Sequence, residues 1–236
     1  MYTLTGLVKN YQQSRGTVHA LRNVDLTIPK GQSVAVQGPT GGGKSTLLQM
    51  LGALDRPTSG EIKLDDTVLS AAGGRSLARL RAKRLGFVFQ NFNLIPTLSA
   101  VENVETALAP LGTGSAERRR RAEGALADVG LAERVAHLPS ELSGGQQQRV
   151  AVARALVKAP EVLLADEPTG NLDEATRDEM MDLLENLWRE RGLTLILVTH
   201  DSAVADRAER HLHIKRGQVS ERSGSRGAAS PAPPDS

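Results

Sequence analysis

The chain has 236 residues, enough for one large domain with a sizeable buried core. Its 29 Lys and Arg nearly balance 27 Asp and Glu, and 3% of its residues are aromatic, so the composition gives little reason to expect nonspecific binding of nucleic acids. The absence of cysteine excludes disulfides, zinc–thiolate sites and thiol catalysis. No apolar run approaches the length of a membrane span, and the start lacks the features of a signal peptide, so we expect the chain to fold in the cytoplasm.

Two antiparallel strands are predicted near the start of the chain. They cover Thr3–Lys9 and Val18–Ile28, with Tyr11 between them, and a Pro-Lys-Gly turn follows the second. A short apolar run at Val34–Val36 predicts a further strand. An antiparallel β-subdomain is therefore expected ahead of the first chemical motif.

The first motif is a glycine-rich loop, residues 38–45, which matches the pattern G-x-x-x-x-G-K-[ST] at every fixed position. It lies between a predicted strand and a predicted helix over Thr46–Leu51, so its backbone N–H groups and the positive helix end can face one anion. A plain glycine turn is the alternative, but Lys, Ser and Thr follow in register. Lys44 would reach the β- and γ-phosphates of a nucleotide, and Ser45 would ligate Mg²⁺. The predicted phosphate-binding residues are Gly38, Pro39, Thr40, Gly41, Gly42, Gly43, Lys44, Ser45 and Thr46.

The segment after this loop reads as a hairpin, a basic helix and a buried strand. These elements are predicted at Gly60–Leu64 with Val68, at Ser76–Arg84 and at Leu85–Phe89. From residue 91 the pattern becomes helical and rich in loops, which predicts an inserted helical subdomain at about residues 91–157.

Within that subdomain, the basic run Arg118–Arg121 has two interpretations. It could face a membrane or a protein partner, or it could form a solvated helix face together with Glu117 and Glu123. We favour the solvated face, which is the commoner role of such a run.

The second motif, L-S-G-G-Q-Q-Q-R at residues 142–149, predicts another helix end able to bind an anion. Ser143 is a good N-cap for a helix over Gln146–Val157, and the two glycines leave backbone N–H groups open. A single nucleotide can hardly occupy both helix ends of one compact fold if they lie far apart. The residues assigned to nucleotide binding here are Ser143, Gly144, Gly145 and Gln146.

Two further apolar runs, Val162–Ala165 and Thr194–Val198, predict strands buried on both faces. A helix is expected between them at about residues 173–191. Strands that alternate with helices indicate a parallel core sheet and thus the α/β class.

Two carboxylates follow the first of these strands, at the end where open α/β sheets place their ligands. Asp166 would hold Mg²⁺ through its water shell, and Glu167 would orient and deprotonate an attacking water. A solvated loop is the usual role of an Asp-Glu pair, but this pair follows a buried strand and precedes Pro-Thr-Gly. Gln90 and His200 also end predicted strands, where a lone Gln or His is more often structural.

These motifs, taken together, resemble the ATP-binding cassette (ABC) family over residues 2–219. The resemblance implies a P-loop NTPase core with a mixed or parallel sheet, an antiparallel β-subdomain and an inserted helical subdomain, which binds ATP and Mg²⁺. It implies that Gln90 touches Mg²⁺ and the attacking water, and that His200 contacts the γ-phosphate. It further implies that Tyr11 stacks on adenine and that Asp173 bridges the two sites of a dimer. The implied catalytic residues are Glu167, His200, Gln90 and Lys44, and the implied metal ligands are Ser45, Gln90 and Asp166.

The resemblance extends to one bacterial branch of the family, carried by residues 90–104, 146–148 and 165–173. That branch contains lipoprotein-releasing, macrolide-export and cell-division ATPases. It implies a homodimer, or a heterodimer with a similar subunit, at the cytoplasmic face of the inner membrane, beside a permease with four membrane helices and a large extracytoplasmic domain. Transport and cell-division signalling both stay open. Action on DNA or the ribosome is disfavoured, because the chain has one cassette, no cysteine and no heptad run.

Two residues of the first loop, Thr40 and Gly42, depart from the types more usual in the family, and Gly42 is expected to lower nucleotide affinity somewhat through added backbone freedom. Residues 1–220 are predicted to form a single nucleotide-binding domain. Residues 221–236 contain Ser, Gly, Ala, Pro and charged residues without an apolar period, and they are predicted to form a disordered tail.

Overall fold

The structure is a computed structural model that describes residues 1–14 and 16–221. All of the predicted tail except its first residue lies outside the described residues. In chain order the elements are β1 Tyr2–Gln13, β2 Gly16–Ile28, β3 Ser33–Gln37, α1 Lys44–Leu51, β4 Ser59–Leu64, β5 Thr67–Val68, α2 Gly74–Arg84, β6 Leu85–Phe89, α3 Ala100–Glu105, α4 Ser115–Asp128, α5 Gly144–Leu156, β7 Val162–Asp166, α6 Glu174–Arg191, β8 Thr194–Val198, α7 Ser202–Ala205, β9 Arg210–Lys215 and β10 Gln218–Glu221, with short helical turns at Ala109–Leu111, Ala132–Arg134 and Pro139–Glu141.

The strands form two sheets. One is antiparallel, with the order β2-β1-β4-β5, and the other has six strands in the order β10-β9-β3-β8-β7-β6. In the six-stranded sheet β3, β6, β7, β8 and β9 are parallel, and β10 pairs antiparallel with β9. The predicted α/β class, with an N-terminal antiparallel sheet and a mixed core sheet, is confirmed.

Two sequence-based expectations were wrong in detail. Tyr11 does not lie between the first two strands, because the hairpin closes later: Tyr11 belongs to β1 and pairs with Val18 in β2. Glu221 is not part of a disordered tail, because it is the last residue of β10, where it pairs with Leu212 and forms an ion pair with Arg210.

Two apolar cores cover the two faces of the six-stranded sheet. Along β7, Leu163 and Ala165 belong to the core that contains α5 and α6, whereas Val162 and Leu164 belong to the core that contains α1 and α2. Successive strand residues point to opposite faces of a sheet. Helices α1 and α5 therefore lie on opposite faces of the same sheet. The buried residues of α1 are Leu47, Leu48, Met50 and Leu51.

Helices α3, α4 and α5 pack together in the region where a helical subdomain was predicted. In α4, Arg119 lies 2.8 Å from Glu123 and Arg120 lies 2.7 Å from Glu117, which agrees with a solvated, internally paired helix face. Arg121 differs, since it donates a 2.7 Å hydrogen bond to the carbonyl of Val157 after α5. Across residues 1–14 and 16–221, no helix combines the length and the apolar character that a bilayer span requires.

Candidate active site

The predicted catalytic residues follow four strands that are neighbours in the sheet. The order β3-β8-β7-β6 places the phosphate loop, His200, the Asp166-Glu167 pair and Gln90 along one edge. The register brings the ends of three strands level, since Asp166 pairs with both Phe89 and Val198. Carboxyl ends of parallel strands are where α/β proteins bind their ligands. The structure thus brings together residues that are more than a hundred positions apart.

The phosphate loop has the backbone shape that its glycines allow. Gly43 caps α1 with a φ of 109°, and no side chain caps this helix end, so the first N–H groups of α1 are left for solvent or an anion. A Cβ on Gly43 would lie 2.5 Å from the carbonyl oxygen of Ala20, and one on Gly38 would lie 2.0 Å from that of Ile214. Lys44 bends back over the loop and donates to the Gly38 carbonyl at 2.7 Å.

The residues expected to hold Mg²⁺ are partly assembled. The hydroxyl of Ser45 donates to Asp166 over 3.5 Å, so a hydroxyl and a carboxylate oxygen lie next to each other at the start of α1. Burial raises the pKa of the Asp166 carboxyl, against the opposing hydrogen bond from Ser45. A cation would offset this burial cost. The donor set is therefore suited to Mg²⁺, which prefers oxygen ligands.

Glu167 is held in place by His200. The imidazole Nδ1 of His200 lies 2.9 Å from Glu167 Oε1, and the His200 backbone N–H donates to Glu167 Oε2 at 3.3 Å. Glu167 has a φ of 48°, in the left-handed region that residues other than glycine seldom adopt. Its N–H donates to the carbonyl of Val198 at 2.8 Å, which ties this conformation to β8.

Gln90 is placed beside the loop that follows Glu167. Its amide Nε2 donates to Asn171 Oδ1 at 3.2 Å, and Asn171 donates back to the Gln90 carbonyl at 2.9 Å. A Cβ on Gly170 would lie 2.9 Å from Gln90 Nε2, so glycine gives room for this side chain. The β6 end and the loop before α6 are therefore linked through two amide side chains.

Tyr11 lies beside α1 and already contacts other residues of its own chain. Its hydroxyl donates to Asp55 at 3.0 Å, and the ammonium of Lys9 lies 4.7 Å from the ring centroid. Burial first, and then the Asp55 carboxylate, raise the pKa of Tyr11. One ring face is thus covered by Lys9, so the stacking on adenine that the family resemblance implies would need the opposite face.

The second motif forms a capped helix end on the other side of the sheet. Ser143 caps α5 and its hydroxyl accepts from the Gln146 N–H at 3.3 Å, while the Gln146 side chain accepts from the Ser143 N–H at 3.0 Å. Gln146 is therefore used in the cap. A Cβ on Gly145 would lie 2.5 Å from Cγ2 of Thr176, so this helix end packs closely on α6.

Asp173, expected to bridge two subunits, caps α6 within its own chain. Its carboxylate accepts from the N–H of Thr176 at 3.0 Å and from the Thr176 hydroxyl at 2.7 Å. These bonds hold the pKa of Asp173 below its usual value. The cap fixes the loop that joins the Glu167 strand to α6.

Two contacts near the site could not be predicted from the local sequence. Arg154 on α5 donates to the carbonyls of Phe92 and Asn93, just after Gln90, and both of these residues have positive φ. Arg177 on α6 donates to Asp201 at 3.3 Å. The partners are far apart along the chain, so only the fold reveals them.

Comparison with known proteins identifies the family of this chain. A family model described as ABC transporter matches residues 21–170. An uncharacterized ABC transporter ATP-binding protein, YknY from Bacillus subtilis, is 47% identical over 93% of this chain and 95% of its own length. A macrolide export ATP-binding/permease protein, MacB from Rhodopseudomonas palustris, is 47% identical over 92% of this chain, which spans 33% of that longer protein.

A solved structure gives the same fold. The dimeric post-hydrolysis state of the ATP-binding cassette MJ0796, bound to ADP and Pi, superposes with a TM-score of 0.88 at 43% identity, covering 96% of this chain and 100% of that one. In the sequence comparison, the uncharacterized ABC transporter ATP-binding protein MJ0796 from Methanocaldococcus jannaschii is 46% identical over 93% of this chain and 95% of its own length. The chain therefore belongs to the ABC transporter family, as one of its ATP-binding and ATP-hydrolysing subunits.

Proposed function

We propose that this ATPase acts as a head-to-tail dimer that holds each ATP between the phosphate loop of one subunit and residues 143–146 of the other. The main support is that α1 and α5 pack against opposite faces of the six-stranded sheet. Because the sheet separates these helices, a nucleotide bound at α1 would meet the N-terminus of an α5 helix from a second copy. The dimeric MJ0796 cassette with bound ADP and Pi gives independent support.

Within this dimer, Glu167 is the general base. Its carboxylate, oriented by His200, accepts a proton from the water whose oxygen attacks the γ-phosphorus in line. The bond between the γ-phosphorus and the bridging oxygen breaks, and ADP and inorganic phosphate result. Gln90 orients the same water, since it follows the strand that pairs with Asp166.

The remaining residues stabilise negative charge. Lys44 turns from the loop carbonyls to the β- and γ-phosphates, and Thr46 contacts the α-phosphate. The partner subunit's Ser143 donates to the γ-phosphate, together with backbone N–H groups of that subunit's glycine pair. Residues 45, 90 and 166 would hold Mg²⁺, which would supply neutralisation of the charge on the phosphates.

The dimer would work at the cytoplasmic face of a membrane and drive a permease of the macrolide-export type. The similarity to proteins named ATP-binding/permease supports this partner. Hydrolysis would open the dimer and move the helical subdomain α3–α5 against the permease. The second subunit of the dimer would be another copy of this chain or a similar ATPase subunit. Cell-division signalling through a similar permease is the second candidate.

The experiment that tests the base is Glu167→Gln. We expect the variant to bind ATP, to hydrolyse it about 10²-fold or more slowly, and to elute as a dimer on size exclusion with ATP and Mg²⁺. Glu190→Gln, the same change at an exposed position of α6, is the matched control and should keep the parent rate and the parent elution profile. Hydrolysis by Glu167→Gln at the parent rate would show that another group is the base.

The same variant tests the partner. Tagged Glu167→Gln protein is purified from gently solubilised membranes with ATP and Mg²⁺, and the copurifying proteins are identified by mass spectrometry. A permease with four membrane helices and a large extracytoplasmic domain is the expected result. A permease with many more helices would refute the macrolide-export type, and recovery of soluble partners alone would refute coupling to a membrane protein.

A further inference from the structure

A partly buried arginine outside the predicted site lines the same cavity as the general base. This cavity has a volume of about 200 Å³, and Glu167, Arg177, His200 and Asp201 are among its lining residues. The side chain of Arg177 is 18% exposed. Arg177 lies on the first turn of α6, four residues after Asp173.

Arg177 ties α6 to the turn that carries His200. Its guanidinium lies 2.9 Å from Asp178 and 3.4 Å from Glu174, both on α6, and it donates to Asp201 Oδ2 at 3.3 Å. Among the contacts that the structure gives this side chain, the one to Asp201 joins two separate elements. Arg177 therefore connects the helix that Asp173 caps to the segment after β8.

Asp201 in turn shapes the backbone at His200. Its Oδ1 accepts from the N–H of Ala203 at 2.8 Å, and its own N–H donates to the hydroxyl of Thr199 at 3.0 Å. The imidazole of His200 is 71% exposed, so surrounding packing does little to hold the ring. The geometry of the turn decides where His200 points, and His200 contacts both oxygens of Glu167.

A second arginine anchors the far end of this segment independently. Arg207 forms ion pairs with Asp182 and Glu185, further along α6. Loss of Arg177 would therefore free the His200 end of the segment while Arg207 keeps the other end attached. The effect should be local and should not amount to loss of the fold.

We propose that Arg177 is a positioning residue for hydrolysis: through Asp201 it fixes the turn that points His200 at Glu167, and so it couples the start of α6 to the general base. This inference rests on the proposed role of Glu167. Because Asp173, which is assigned to the dimer interface, caps α6, the same link carries the state of that interface to the base.

Steady-state ATP hydrolysis by the full chain tests the proposal. Arg177→Ala should lower kcat about tenfold, in the range expected when a catalytic group is slightly misplaced, and should leave the KM for ATP within about twofold. Arg177→Lys keeps the charge and should recover part of the loss. Arg189→Ala removes another α6 arginine, 63% exposed and paired with Glu185, and should leave kcat and KM unchanged.

A double-mutant cycle separates positioning from a general structural effect. If Arg177 acts through His200, Arg177→Ala should cause no further loss of kcat in a His200→Ala background. Asp201→Asn, which keeps an oxygen to cap α7, provides a second route if Arg177→Ala folds poorly, and it should give a similar loss that does not add to that of Arg177→Ala. Unchanged kcat in Arg177→Ala, or a full additional loss in His200→Ala, would overturn the proposal. Since Glu167→Gln is assayed alongside, such a result with Glu167→Gln inactive refutes the inference and leaves the proposed function standing.

Discussion

The chain contains two serine caps of the same design, and this pair allows one prediction to be made sharply. Ser143 caps α5 and Ser99 caps α3, and each forms a capping box with the residue three positions later. Ser99 accepts from the Glu102 N–H at 3.4 Å, close to the 3.3 Å of the Ser143 bond. The two caps share these backbone bonds, although the Ser99 hydroxyl also donates to the Glu102 carboxylate at 2.7 Å, and only Ser143 is assigned to a nucleotide.

Replacement of either serine by alanine should remove the hydrogen bond that caps its helix. The loss is about 1 kcal/mol in the free energy of unfolding, which corresponds to a fall in melting temperature of roughly 2–4 °C for a domain of this size. Ser143→Ala should also lose a hydrogen bond to a charged phosphate oxygen across the dimer. Such bonds contribute about 1.5–3 kcal/mol, so ATP hydrolysis should fall roughly ten- to a hundredfold.

The assay pairs thermal unfolding with steady-state ATP hydrolysis for both variants. We expect equal losses of melting temperature, within about 2 °C, and a loss of hydrolysis in Ser143→Ala alone. Hydrolysis by Ser143→Ala at the parent rate would refute the assignment of Ser143 to the partner's nucleotide. Equal loss in both would mean that helix capping, rather than phosphate binding, controls the rate.

Two further predictions concern the flanks of the site. Tyr11→Phe removes the hydroxyl bound to Asp55 but keeps the ring, and it should leave the KM for ATP within about twofold. Tyr11→Ala removes the ring and should raise the KM for ATP about tenfold. Equal KM values in the two variants would argue against stacking on adenine. Gly145→Ala should lower both the melting temperature and ATP hydrolysis, because the new Cβ would lie 2.5 Å from Cγ2 of Thr176. Adding Thr176→Ser, which removes that methyl group, should restore much of both. Losses that persist in the double variant would show that the clash is not their cause.

The strands were the elements that the sequence predicted best. The limits of β6 and β8 match the prediction, since each strand is a short run of mainly apolar residues that a polar residue, Gln90 or Thr199, follows. The helix beginning at Glu174 was predicted within a residue, and the structure shows that Asp173 caps it. The two strands of the first hairpin were predicted, but its outer end, which includes Tyr11, was missed, because this end is polar, pairs through backbone groups and carries no apolar signal.

The sequence by itself determined which chemistry the chain can perform. Glycines that permit unusual backbone angles, followed by lysine and serine, specify a phosphate-binding loop, and the local pattern around Asp166 and Glu167 places carboxylates at a strand end. These features depend on residues adjacent in the chain, so they can be read from it directly. Tertiary structure alone decided the rest: the contact of His200 with Glu167, the tie of Arg177 to Asp201, and the separation of α1 from α5 by the sheet. The physical reason is that strand order and packing set the distances between residues remote in sequence, and no local pattern encodes that order.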